Sequence, residues 1–129
     1  MIYSRTKLII ADNTGAYSVK CIQFYKGSGK KQAFLSEIIQ VSISKIKALK
    51  KINKKTIYNN IVISSKSWTK KLDGSFIKAF KNRGLLLDKF FKFLGTRIYG
   101  PVPKELLQGF NFLDNDKSKK IISFSKYLI

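Results

Sequence analysis

Ile39-Gln40-Val41-Ser42-Ile43-Ser44 alternates apolar and polar side chains. A period of two puts Ile39, Val41 and Ile43 on one face of a strand and the polar residues on the other. Tyr17-Ser18-Val19-Lys20-Cys21-Ile22-Gln23-Phe24-Tyr25 upstream is similar and aromatic-rich, and residues 7–11 open the series. Residues 57–64 form a further strand, with Ile61 and Ile63 inward. Between them, Asp12-Asn13-Thr14-Gly15 and Gly27-Ser28-Gly29 have the residue types that tight turns need. Asp73-Gly74, flanked by residues 66–72 and 75–80, predicts a hairpin with a two-residue turn of the primed type. Its many lysines suggest a ribbon projecting toward a partner. Short strands separated by turns predict a mainly β fold, an antiparallel barrel.

After Gly100 the pattern changes. Pro101 and Pro103 ahead of Lys104-Glu105-Leu106-Leu107-Gln108, with Gly109 behind, predict a short helix at about 103–108. Residues 113–119 read as a polar loop and 121–124 as a last strand or extended piece. With no repeat or linker, the 129 residues read as one domain, barrel and ribbon to about 100 and a short helix with a C-terminal extension over about 101–129.

The charge is +19, from 26 Lys plus Arg against 7 Asp plus Glu. Self-repulsion of this size opposes a compact state, so the natural explanation is a polyanionic partner. Nucleic acid is favoured over an anionic membrane surface, because a basic amphipathic helix is missing; separately, no apolar run reaches the ~18 residues a membrane-spanning helix needs. Of the basic residues 23 are Lys and 3 Arg, and there are 17 Ile against 4 Val and 5 Ala. Strand chemistry does not favour Ile over Val this strongly. Codons for Lys and Ile are AT-rich, which points to an AT-rich genome. The first residues lack the apolar stretch of a signal peptide. Together these features predict an organelle-encoded protein, most simply of the mitochondrial matrix.

The chain has no His, so the commonest acid–base agent and the Ser-His-Asp and Cys-His systems are ruled out. Its seven acids are scattered, and Cys21 alone cannot anchor a zinc site. No cofactor, no metal and no enzymatic activity are expected. Cys21 alternates with Val19 and reads as a small buried hydrophobe. Candidate phosphate ligands are Arg5, Lys7, Lys30, Lys31, Lys45, Lys47, Lys50, Lys51, Lys54, Lys55, Lys70, Lys71 and Arg97. Tyr25, Phe34, Tyr58, Trp68 and Tyr99 lie among them; most are expected in the core, with one or two stacking on unpaired bases. The competing reading is a free barrel protein for single-stranded nucleic acid.

Ala11-Asp12-Asn13-Thr14-Gly15-Ala16, Cys21-Ile22, Gly27-Ser28-Gly29-Lys30-Lys31 and Glu37-Ile38-Ile39 closely resemble the N-terminal half of the universal large-subunit ribosomal protein number fourteen. Asp73-Gly74-Ser75-Phe76-Ile77, then Gly95-Thr96-Arg97-Ile98-Tyr99-Gly100-Pro101-Val102 and Lys104-Glu105-Leu106, resemble its C-terminal half. The resemblance covers about residues 1–110. It implies a five-stranded barrel, a projecting ribbon and small C-terminal helices. It also implies large-subunit rRNA and neighbouring ribosomal proteins as partners, small-subunit rRNA at an intersubunit bridge, and a ribosome-silencing factor.

Two departures carry expectations. Where the family has Lys-Gly-Asp this chain has Lys54-Lys55-Thr56, so that turn should be remodelled. The family's polar loop is replaced by Asp88-Lys89-Phe90-Phe91-Lys92-Phe93-Leu94. Either Phe91 and Phe93 share one strand face and extend the core, or at least one ring docks on a neighbouring protein. The second is favoured, and Phe90, Phe91, Phe93, Thr96 and Arg97 are the candidate protein contacts.

Overall fold

The alternation at residues 39–44 becomes a strand whose Ile39, Val41 and Ile43 are buried. The structure, a computed structural model, describes residues 1–25, 29–47, 52–109 and 115–129. In chain order the elements are β1 (Ile2–Tyr3), β2 (Lys7–Ile10), β3 (Ala16–Phe24), β4 (Gln32–Ala33), β5 (Ile38–Ile46), β6 (Ile57–Ser64), β7 (Thr69–Lys70) and β8 (Phe76–Ile77). β9 (Arg83–Leu87), β10 (Ile98–Val102), α1 (Glu105–Gly109), α2 (Asn115–Phe124) and β11 (Ser125–Leu128) complete the set.

Strands β2, β3, β5, β6 and β9 form the expected closed five-stranded barrel. Four of its seams are antiparallel, but β2 and β9 run parallel, Ile9 opposite Arg83 and Ile10 opposite Gly84. An odd number of strands cannot alternate in direction all the way round a ring, so one parallel seam is unavoidable.

Two cores follow from the pleat. Leu8, Val19, Cys21, Val41, Val62 and Leu86 belong to the first. Ile61, Ile63, Leu85 and Leu87 point the other way and form a second with Ile98, Val102, Leu106 and Ile121. The unbroken runs Ile61-Val62-Ile63 and Leu85-Leu86-Leu87 therefore mark strands covered on both faces. Cys21 is buried as expected, and burial pushes its thiol up to about 11.

The C-terminal part differs from expectation. α1 occupies the expected place, but residues 115–124 are one helix rather than a polar loop and a strand. Ile121 is buried in the second core and Phe124, three residues on along the helix, packs on the same core. The strand comes later: β11 pairs in parallel with β10, Pro101 opposite Tyr127 and Val102 opposite Leu128. Residues 110–114, part of the expected loop, lie outside the described residues, as does the Gly27-Ser28 part of one expected turn.

The ribbon is a hairpin of β7 and β8, but its loop has three residues rather than two. Lys71 N donates to Ser75 O at 2.7 Å, Gly74 N donates to Lys71 O at 3.2 Å, and Gly74 has φ 89°. This is a turn closed by one left-handed residue, the usual three-residue solution. The same bonds recur at residues 88–92: Asp88 N donates to Lys92 O at 2.8 Å and Phe91 N to Asp88 O at 2.9 Å. Phe91, at φ 59°, holds the position that Gly74 holds in the ribbon. Phe91 and Phe93 both pack against the second core, and Phe93 meets Phe124 edge-on at 6.2 Å. The left-handed strain at Phe91, about 1–2 kcal/mol, is thus offset by ring burial.

Lys55 also lies in the left-handed region, at φ 68°. There the lysine itself adopts the conformation a glycine suits. Its side chain is exposed, so no packing offsets the strain. Lys55→Gly is expected to raise stability by about 0.5–1 kcal/mol in urea unfolding, since relief of strain outweighs the added freedom of the unfolded chain. A loss of stability would show that the lysine makes a contact worth more than its strain.

Candidate nucleic-acid interface

On β3, Val19 and Cys21 face the core, so Lys20 between them faces out, where it is exposed. Lys7 on β2 is its direct cross-strand neighbour. Like charges placed opposite each other cost stability, and an anion between them removes that cost. One seam further, Ser18 lies opposite both Ile9 and Lys45. There Lys7, Lys45, Lys66 and Lys81 line a groove of about 350 Å³ whose wall includes Tyr17. Among the described residues, no acidic side chain lines it. Lys47 extends the basic rim, its Nζ 6.0 Å from the Tyr17 ring centroid.

Asn82 sets two of these lysines in place. Its main-chain carbonyl accepts from Ile9 N at 2.9 Å, and its Oδ1 accepts from Lys66 N at 2.9 Å. The segment carrying Lys81 and the strand end carrying Lys66 are thereby tied to β2.

A second exposed point is the loop at residues 95–97. Asn13 Oδ1 accepts from Thr96 N at 2.8 Å and Arg97 N at 3.3 Å, while its Nδ2 donates to Thr96 Oγ1 at 2.9 Å. A Cβ on Gly95 would lie 2.8 Å from Asp12 Cβ, so the loop seats only with glycine there. Asp12 beneath it is buried and accepts from Thr14 N at 3.1 Å, Thr14 Oγ1 at 2.5 Å and Leu86 N at 3.0 Å. Burial raises its carboxyl above the ordinary value, and the bonds from Thr14 and Leu86 partly oppose that. Fixed this way, the loop leaves the Arg97 guanidinium exposed and without a protein partner among the described residues.

The structure places the other expected ligands variously. Lys7, Lys45 and Lys47 converge on the groove. Arg5, Lys31, Lys54, Lys55 and Lys70 are exposed elsewhere and Lys71 is half-buried. Lys30 already has an anion, Glu37 Oε1 at 2.5 Å. Lys50 and Lys51 lie outside the described residues. Lys20, Lys66, Lys81 and Tyr17 did not emerge from sequence. Lys20 was within reach of the β3 alternation, whereas Tyr17, in phase with the buried Val19 and Cys21, is turned outward where the register shifts around Ser18, and Lys66 and Lys81 join the site only through tertiary contacts.

The aromatic expectation needs correction. Tyr25, Phe34, Trp68 and Tyr99 are exposed, and of those five only Tyr58 packs against the core. Trp68 holds Lys78 Nζ 5.3 Å from its ring centroid. Among the three phenylalanines, Phe90 is 77% exposed while Phe91 and Phe93 are spent within the chain. Arg83, not singled out in the sequence, uses its planar fork on the fold itself. Nε donates to Ser64 Oγ at 3.0 Å, Nη1 to Tyr99 O at 2.9 Å and Nη2 to Pro101 O at 2.5 Å.

A closed five-stranded barrel with a lysine-lined outer groove, a hairpin ribbon and a pinned, arginine-bearing loop defines a small basic barrel protein. The family model of ribosomal protein L14p/L23e matches residues 1–129, and the chain belongs to that family. It is a family of structural proteins of the large ribosomal subunit, not of enzymes.

Proposed function

We propose that this chain clamps rRNA of the large subunit through the outward face of β2, β3 and β5. The observation that carries this is the groove lined, among the described residues, by four lysines and no acid, next to the opposed pair Lys7 and Lys20. Such a site is charged against itself until phosphates enter it, and each phosphate neutralised releases counterion. Lysine acts as a point charge, so the clamp tracks backbone rather than reading bases.

The ribosome is that of a mitochondrion with its own AT-rich genome; the Lys and Ile usage supports this. Thr96 and the free fork of Arg97 face the small-subunit rRNA at a bridge between subunits, and the same surface can receive a silencing factor. Phe90 is the ring left to meet a neighbouring ribosomal protein.

Affinity of the isolated protein for a duplex RNA should fall steeply and linearly on a log–log plot against salt. Lys7→Gln, Lys45→Gln and Lys66→Gln should each reduce that slope by about one where the lysine meets a phosphate. A flat salt plot, or unchanged slopes in all three variants, sinks the clamp.

A further inference from the structure

The groove carries more than charge. Tyr17 is 47% exposed although it lies in the long strand β3, where Ser18 and Val19 beside it are buried. Lysines alone would hold a backbone as well without an aromatic wall. A groove of about 350 Å³ also falls in the size range of small-molecule sites, ~300–1,000 Å³. We propose that one unpaired nucleotide of the bound RNA enters this groove and stacks its base on Tyr17, while Lys7, Lys45 and Lys66 hold the phosphates on either side. The inference rests on the clamp proposed above and adds to it a preference for an interrupted helix.

Three features of the site support a base rather than a further phosphate. Ile9, half-buried, contributes to the lining along with Tyr17, so the groove has apolar surface that a phosphate would not use. Ser18 and Asn82, also in the lining, supply a hydroxyl and an amide for a base edge. Lys47 Nζ stands over the Tyr17 ring rather than beside a carboxylate, which leaves the ring set among cations where a nucleotide's phosphates must pass. Stacking on an aromatic is tolerant of base identity, so the preference is for an unpaired position and not for a sequence.

The full-length protein can be tested with two RNA hairpins of equal length, one fully paired and one with a single bulged uridine, at salt high enough to weaken the backbone contribution. The bulged hairpin should bind on the order of tenfold more tightly. Tyr17→Ala should remove that difference, bringing the bulged hairpin down to the affinity that the same variant has for the paired one, and Tyr17→Phe should retain the difference. With 5-iodouridine at the bulge, irradiation should join the RNA to Tyr17, read by mass spectrometry of the digested protein. Equal binding of the two hairpins, or a crosslink at Trp68 or Phe76 instead, overturns the stacking site and leaves the clamp standing. Salt-independent binding of both hairpins would instead overturn the clamp.

Discussion

Gly84→Ala should cost about 3 kcal/mol of stability and lower the melting temperature by about 10 °C. A Cβ at this position would collide with the Asn60 amide oxygen and lie 2.6 Å from both Asn60 Cγ and Nδ2. Asn60 is fully buried, so its side chain has no solvent to retreat into. The backbone cannot yield either. Gly84 lies opposite Val62 on one side and Ile10 on the other, and its carbonyl accepts from Ala11 N at 3.0 Å. Moving β9 would therefore disturb two seams of a closed barrel. Asn60 makes a clean partner for a double-mutant test, because neither its Oδ1 nor its Nδ2 has a hydrogen-bond partner among the described residues. Removing an amide in that condition costs little beyond the space it leaves. Asn60→Ala should thus be mild, and adding Gly84→Ala to it should cost under about 1 kcal/mol. Equal costs of Gly84→Ala in both backgrounds would mean that the two sites do not meet.

The same pair shows where sequence reading stops. β3 and β5 were legible because one face of each is covered and the period of two survives in the residues. β6 and β9 are covered on both faces, which erases the alternation and leaves only apolar runs. Gly84 interrupts nothing in the pattern; its reason is Asn60, 24 positions earlier on the facing strand. α2 was misread for a related cause. The buried Ile121 and half-buried Phe124 give too short an apolar stripe to announce a helix, and the second core that receives them is assembled from β6, β9, β10 and α1. The site divides in the same way. Lys7, Lys45 and Lys47 could be named from the sequence as strand-end cations, while their convergence with Lys66 and Lys81 depends on the bonds of Asn82. Arg83 gives no sign in the sequence that its planar fork braces the fold, because its acceptors Ser64, Tyr99 and Pro101 come from three separate segments.

Asp12→Ala should be the second large loss, about 3 kcal/mol in urea unfolding at neutral pH. The carboxylate stands in for a missing strand partner: Oδ2 takes the Leu86 amide of β9 at 3.0 Å, and Leu86 is fully buried. Alanine leaves that N–H with no acceptor in the barrel wall, a cost of about 1–3 kcal/mol by itself. It also releases Thr14, whose amide and hydroxyl both bond Oδ1, and with Thr14 the turn that carries Asn13. Asn13 in turn holds Thr96 and Arg97, so the variant should loosen the exposed loop as well as the barrel. Asp12→Asn keeps the shape and one good acceptor, and should fall between the two. The pH dependence separates the opposing influences on this group. Burial is the larger and raises the folded-state value above 3.8, so the folded protein holds the proton more tightly than the unfolded chain does. A group of this kind contributes most to stability below 3.8 and contributes less as pH rises through its folded value. The gap between wild type and Asp12→Ala should therefore widen as pH falls from neutrality toward 3.8. A gap that instead narrows in acid would mean that the three hydrogen bonds outweigh burial and that Asp12 is held as a stabilised anion.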